Sequence, residues 1–242
     1  MKKSKGLRSF SAVAVTAAAL LAAQPAAADV IEINNFWAGA GTATINFTGT
    51  NWHDGSTVTG LQEYGGSGGF KTYNRTTGGN AFLSFCVDIF HSFGFVVKSE
   101  DTLQPATIIS AKAAEDLGRL YTNHHAAVES TSSTATNQSA FQLAVWEIVN
   151  EGASEYSLSQ GNFKASGTGG SLAQTWLNEL STDSASQYVA NIWTVQHMLS
   201  GNGYAQDLVV FAPVPEPQTY AMMLVGLGLL GLSVRRKNQN LV

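Results

Sequence analysis

The chain has 242 residues, with 13 Lys and Arg against 17 Asp and Glu, and this near-neutral balance hides an uneven distribution. Four of the bases lie in residues 1–28 and three in 235–237, so residues 29–212 keep six bases against sixteen acids, a net charge of −10. So acidic a segment argues against nucleic acid and anionic lipid as its partners, and its single cysteine, Cys86, excludes an intramolecular disulfide and any zinc site with more than one thiolate.

In chain order, Lys2, Lys3, Lys5 and Arg8 precede an apolar run from Ala12 to Ala23 and the small residues Ala26, Ala27 and Ala28. That pattern predicts a secretory signal peptide over residues 1–28, cut after Ala28. Residues 29–212 then make an exported domain of about 185 residues, long enough for one hydrophobic core. In an oxidising compartment a lone thiol must be buried, paired with another chain or chemically used.

From Val30 to Val97 short β-rich runs alternate with Gly, Asn and Thr clusters: 30–33, 43–47, 69–73, 81–90 and 93–97. The spacing predicts an antiparallel sheet or sandwich with Gly-rich turns such as 65–69. After Pro105, Ile108, Ala111, Ala114, Leu117, Leu120 and Tyr121 recur at helical spacing, predicting an amphipathic helix over 106–127. A second helix, capped by Asn137 or Ser139, runs to about Asn150, and two more are predicted over 171–180 and 184–199. Asp207 to Phe211 reads as a strand that rejoins the sheet. The expected fold class is therefore α+β: an N-terminal antiparallel sheet or sandwich, a helical insertion and a closing strand, flanked by the signal peptide and a C-terminal hydrophobic helix.

Two segments gather apolar and aromatic residues around one polar side chain. The first is the predicted strand Phe82-Leu83-Ser84-Phe85-Cys86-Val87-Asp88; the second is the predicted helix Ala140-Phe141-Gln142-Leu143-Ala144-Val145-Trp146-Glu147-Ile148. Each has a plain reading, a buried thiol and a helical Gln facing solvent. Together they supply a nucleophile and a carboxamide, which can condense to a thioester with loss of ammonia if held in contact away from water. Glu147 either orients the carboxamide or faces solvent.

The pattern resembles the thioester domains of Gram-positive surface adhesins, which carry an aromatic-Cys pair on a strand and a later Thr-Gln-x-Ala-Ile-Trp helix. Phe85 and Cys86 match the first motif; Gln142, Ala144 and Trp146 match the second, with Val145 for Ile and Phe141 for Thr. Arg119-Leu120-Tyr121 resembles the family's intervening helix. The resemblance, over residues 81–150, implies a Cys86–Gln142 thioester supported by Phe85, Phe141, Ala144 and Trp146, and covalent capture of a surface amine or hydroxyl. The alternative is a non-reactive structural matrix protein in which Cys86 and Gln142 only pack.

A cysteine hydrolase would pair Cys86 with His91, His124 or His125. His91 falls on the opposite face of a regular strand from Cys86, His124 and His125 sit at a helix end, and no Gly-rich oxyanion signature accompanies the cysteine. The five histidines are too dispersed to specify a metal. The chain is therefore expected to be neither a turnover enzyme nor dependent on a cofactor.

At the C-terminus, Pro215-Glu216-Pro217 precedes an uncharged run from Tyr220 to Val234, and Arg235, Arg236 and Lys237 follow it. Fifteen residues of helix reach about 22 Å, short of a bilayer core of about 30 Å unless flanking residues and snorkelling arginines help. A plain membrane anchor is one reading. The order of the three parts over 213–242 resembles the PEP-CTERM sorting signal. That resemblance implies recognition by an exosortase-type membrane transpeptidase, removal of the tail after a membrane-anchored stage, and delivery to the cell surface or an exopolysaccharide matrix.

Overall fold

The computed structural model describes residues 28–151, 155–180, 186–200, 205–214 and 227. In chain order the elements are β1 (Asp29–Phe36), β2 (Gly41–Thr50), β3 (Thr57–Ser67), β4 (Phe70–Asn74), β5 (Phe82–Cys86), β6 (Val97–Pro105), α1 (Ala111–Glu129), α2 (Ala135–Glu151), β7 (Phe163–Gly167), α3 (Gly170–Glu179), β8 (Tyr188–Ser200) and β9 (Leu208–Pro213). Six strands close an antiparallel barrel in the order β1-β4-β5-β9-β8-β6, and β6 returns to pair with β1. The remaining three form a small sheet, β3-β2-β7.

Local chemistry explains most of these elements. In β2, Gly41, Ala43, Ile45 and Phe47 are buried while Thr42, Asn46 and Thr48 are exposed, the two-residue period of a strand with one wet face. Ser110 caps α1 by accepting a hydrogen bond from the Ala113 N–H, and Leu117, Leu120 and Tyr121 turn inward. Every residue of α2 from Gln138 to Val149 is buried. A helix without a polar face must be covered on all sides, and α2 lies against β2, β5, β7, α1 and α3.

The expected α+β class is overturned. Among the described residues strand outweighs helix, 41% against 29%, and the fold is built on a closed barrel rather than a sandwich with a helical insertion. Where a helix was expected over 184–199, Tyr188–Ser200 form β8, in which Ile192, Trp193, Thr194 and Val195 pair with β6 and Val189, Ile192 and Trp193 with β9. Here β-branched and aromatic residues gain more from two flanking ladders than from a helix. The expected turn at 65–69 is largely the end of β3. The run 81–90 stops as a strand at Cys86, and 93–97 contributes only Val97, because Val96 adopts φ +63° and breaks the extended run. Thr134, rather than Asn137 or Ser139, accepts at the start of α2, from the Asn137 N–H. Residues 1–27 of the expected signal peptide, Pro215, Glu216, Pro217, nearly all of the hydrophobic run 220–234 and the basic cluster 235–237 lie outside the described residues, among which no helix is long and apolar enough to cross a membrane.

One glycine joins the small sheet together. Gly167 has φ +140° opposite Ala43, and a Cβ there would lie 2.1 Å from the Thr42 carbonyl oxygen. Gly167→Ala is expected to destabilise the domain by about 2 kcal/mol, read from urea denaturation. A loss below about 0.5 kcal/mol would show that β7 is not held this closely to β2.

Candidate functional site

Cys86 closes β5 opposite Leu208 of β9, and the next residue, Val87, donates its N–H to the Asp207 carbonyl at 3.0 Å. Successive residues of a strand direct their main-chain groups to alternate sides, so those of Cys86 face away from β9. On that side β4 pairs only as far as Phe70 opposite Ser84, which leaves Cys86 without a strand partner. Gln142 of α2 supplies one. Its Oε1 accepts the Cys86 N–H at 3.0 Å and its Nε2 donates to the Cys86 carbonyl at 2.7 Å. The carboxamide takes the place of one residue of a missing strand. Its i−4 neighbour on the helix, Gln138, does similar work by accepting the Gly69 N–H at 3.2 Å and donating to the Val128 carbonyl at 2.6 Å.

The remaining predicted residues pack around this pair. Phe85 and Phe141 are fully buried with ring centroids 4.5 Å apart, and Ala144 is equally buried. Cys86, Gln142 and Trp146 together line a cavity of about 340 Å³, within the size range of ligand pockets. The Cys86 thiol donates to the Asp88 carbonyl at 3.0 Å. Burial pushes the thiol far above its ordinary range, and the charges of Asp88 and Asp207 add to the effect against an opposing pull from Trp146. A free thiolate is therefore disfavoured at this position.

Glu147 neither orients the Gln142 carboxamide nor faces solvent. It is fully buried, and its Oε1 accepts the Ser157 N–H at 2.6 Å. Burial, then the charge of Glu151, raises its pKa to about 8, against the Ser157 bond.

The histidines divide by location. His124 stacks on Trp176 at 4.4 Å and pairs with Glu179 at 3.2 Å, while His125 sits 3.2 Å from the Tyr121 carbonyl; both serve the α1 packing. His91, expected on the face away from Cys86, instead lines the Cys86 cavity, because β5 ends before it and the chain turns back. Its Nδ1 lies 2.6 Å from Asp88 Oδ2. Sequence reasoning missed this, and it also missed His53, which lies 3.5 Å from both Asp88 and Asp207. The Asp88-x-x-His91 spacing was the available signal: an aspartate that accepts the N–H groups of Phe90 and His91 folds the loop back on itself. Among the described residues no group of three or more His, Cys, Asp or Glu is arranged to hold a metal ion.

Comparison with known proteins identifies the tail. Residues 213–237 match the PEP-CTERM protein-sorting motif, which takes in Pro215, Glu216, Pro217, Arg235, Arg236 and Lys237. The motif marks an exported protein that passes through a membrane-anchored state and is processed by exosortase, a membrane enzyme. No curated protein and no solved structure matches the chain, so the thioester-domain resemblance gains no support from outside its own residues.

Proposed function

We propose that the exported domain is a single-use covalent adhesin or cross-linker of the cell surface or extracellular matrix, armed by a thioester between Cys86 and Gln142. The observation that carries this reading is the two-point hydrogen bonding of the Gln142 carboxamide to the main chain of Cys86, which holds an electrophilic carbon beside the residue that bears the thiol. The cavity shared by both residues gives a nucleophile a way in.

Condensation follows from the same contacts. The sulfur attacks the Gln142 carboxamide carbon, charge develops on Oε1, and the Cys86 N–H already donates to that atom at 3.0 Å. The C–N bond breaks, the thiol proton leaves with the amide nitrogen as ammonia, and a C–S bond remains. The buried, aromatic surroundings of Phe85, Phe141 and Trp146 slow hydrolysis. In the second step an amine or hydroxyl on a target surface attacks the same carbon, an amide or ester forms, and Cys86 is released as a thiol. Nothing regenerates the thioester, so the chain acts once and does not turn over. In this reading the mature form begins near Asp29 and has lost Tyr220 to Val242, with the basic cluster 235–237 holding the cytoplasmic side until exosortase acts.

Intact mass of the exported protein tests this directly. The expected mass is one ammonia below that of the processed sequence, and reaction with methylamine adds one methylamine on Gln142, leaving the protein one CH2 heavier than the processed sequence with one alkylatable thiol. Cys86→Ala and Gln142→Ala each remove both effects. An unmodified mass would leave Gln142 as a plain cap for the β5 ladder and the domain as a non-reactive structural matrix protein, the reading that its saturated hydrogen bonding otherwise favours.

A further inference from the structure

The walls of the Cys86–Gln142 cavity carry charge of one sign only. Glu63 and Asp88 line it together with His91, and neither lysine nor arginine does. The aromatic residues Tyr64, Phe90, Phe93 and Trp146 complete the walls, and Tyr64 is 74% exposed at the strand edge. Carboxylates beside aromatic faces attract an organic cation. A cationic amine, however, cannot attack a thioester until it has lost a proton, so a site that recruits an ammonium group needs a base within reach of it.

His91 is built for that task. Asp88 Oδ1 accepts the N–H groups of Phe90 at 2.8 Å and His91 at 3.3 Å, which fixes the turn. Asp88 Oδ2 lies 2.6 Å from His91 Nδ1. A carboxylate only accepts, so Nδ1 carries the hydrogen and Nε2 keeps its lone pair. Gln206 donates to the carbonyls of both Asp88 and His91, holding the loop from the β9 side. The imidazole is half-exposed, 53% of its side chain being accessible, while Asp88 is 3% accessible. A buried carboxylate that orients an accessible imidazole in the same cavity that Gln142 lines is an arrangement suited to base catalysis.

Resting on the thioester reading above, we infer that His91, oriented by Asp88, is the general base that takes the proton from a primary ammonium group, such as a lysine side chain, as it enters the cavity to attack the Gln142 acyl carbon. The ammonium group first gives one proton to His91 Nε2, which releases it to solvent; the neutral amine then attacks, the C–N bond forms, and as the C–S bond breaks His91 takes the second proton from the nitrogen and passes it to the departing Cys86 sulfur. His91 touches the nucleophile; Asp88 is a positioning residue. The other ionisable groups around the ring are His53, whose ring centroid is 6.0 Å away, Asp207 beyond it and Glu63 across the cavity. Burial holds His53 below the usual imidazole range, the charge of Asp88 opposing the shift.

The test follows methylamine uptake by the exported protein, after its intact mass has been measured. His91→Gln should still be one ammonia lighter than its sequence, yet take up methylamine about 100-fold more slowly than the unsubstituted protein. Asp88→Asn, which takes the carboxylate away from His91 Nδ1, should likewise form the thioester and take up methylamine more slowly than the unsubstituted protein. His197→Gln, which alters an exposed pair with Glu100 on the barrel, serves as the control and should react at the unsubstituted rate. If His91→Gln forms the thioester and reacts as fast as the unsubstituted protein at every pH, His91 is not the base. If the unsubstituted protein shows no ammonia loss, the thioester reading itself fails and this inference fails with it.

Discussion

Phe141→Ala is expected to destabilise the domain by about 3 to 5 kcal/mol, among the largest effects of any single substitution in α2. Phe141 is fully buried where four other rings converge: Phe85 from β5 at 4.5 Å, Tyr121 from α1 at 6.0 Å, Phe211 from β9 at 5.9 Å and Trp176 from α3 at 6.3 Å between centroids. Removing the ring withdraws apolar area and opens a cavity that four separate elements cannot close together, because each is also held by its own ladder or helix. This position holds threonine in the adhesin motif that the helix resembles. Phe141→Thr should be nearly as damaging here, since its hydroxyl would sit among rings. Urea denaturation measures both substitutions. A loss under about 1 kcal/mol for Phe141→Ala would mean that these elements do not meet at one core. Paired with the mass measurement, the variant also separates stability from chemistry: a protein still folded at low temperature should keep the Cys86–Gln142 contact that β5 and α2 make through their main chain and carboxamide.

The second large effect is a fall in stability with rising pH. Glu147 titrates at about 8 in the folded domain against an ordinary value of 4.5. Below about 4.5 both folded and unfolded chains hold the proton, and the stability associated with the neutral carboxyl is fully present. As pH climbs toward 8 the unfolded chain sheds its proton while the folded one keeps it, so stability declines across that window and levels off above it. Asp101 and Asp207, each raised by burial to about 7 from 3.8, add in the same direction over a window that closes nearer neutrality. Glu147 alone is expected to contribute a loss on the order of 3 kcal/mol. Its Oε2 has no hydrogen-bond partner among the described residues, which is why the charged form is costly there. Glu147→Gln preserves an acceptor for the Ser157 N–H and removes the titration. It should flatten the stability curve and leave the variant the more stable of the two at pH 8. Parallel curves for the two proteins, from chemical denaturation between pH 4.5 and 8.5, would mean that Glu147 is already ionised in the folded state.

The sequence by itself determined the features that local order encodes. The Pro-Glu-Pro, apolar, basic succession of the tail is read by its order in the chain, and it is the part that a known motif matches. The helical spacing through Leu117, Leu120 and Tyr121 appears as α1, and the stretch 171–180 largely as α3. The burial of the two segments around Cys86 and Gln142 was also legible, because their apolar and aromatic composition announces it. Residues 188–200 were not legible as a strand. Their side chains suit a helix or a strand, and only the ladders to β6 and β9, contributed by chain about 90 residues earlier and about 20 later, decide between them. The closed barrel has the same origin, since it depends on β6 meeting β1 across a separation that no local period records. The site was decided in the same way. Gln142 meets Cys86 because β4 stops short and leaves a gap in the ladder, and His91 reaches the cavity because Asp88 turns the chain back after β5. Both are consequences of where neighbouring strands end, and main-chain groups left unpaired by those ends must find a partner wherever the tertiary structure brings one.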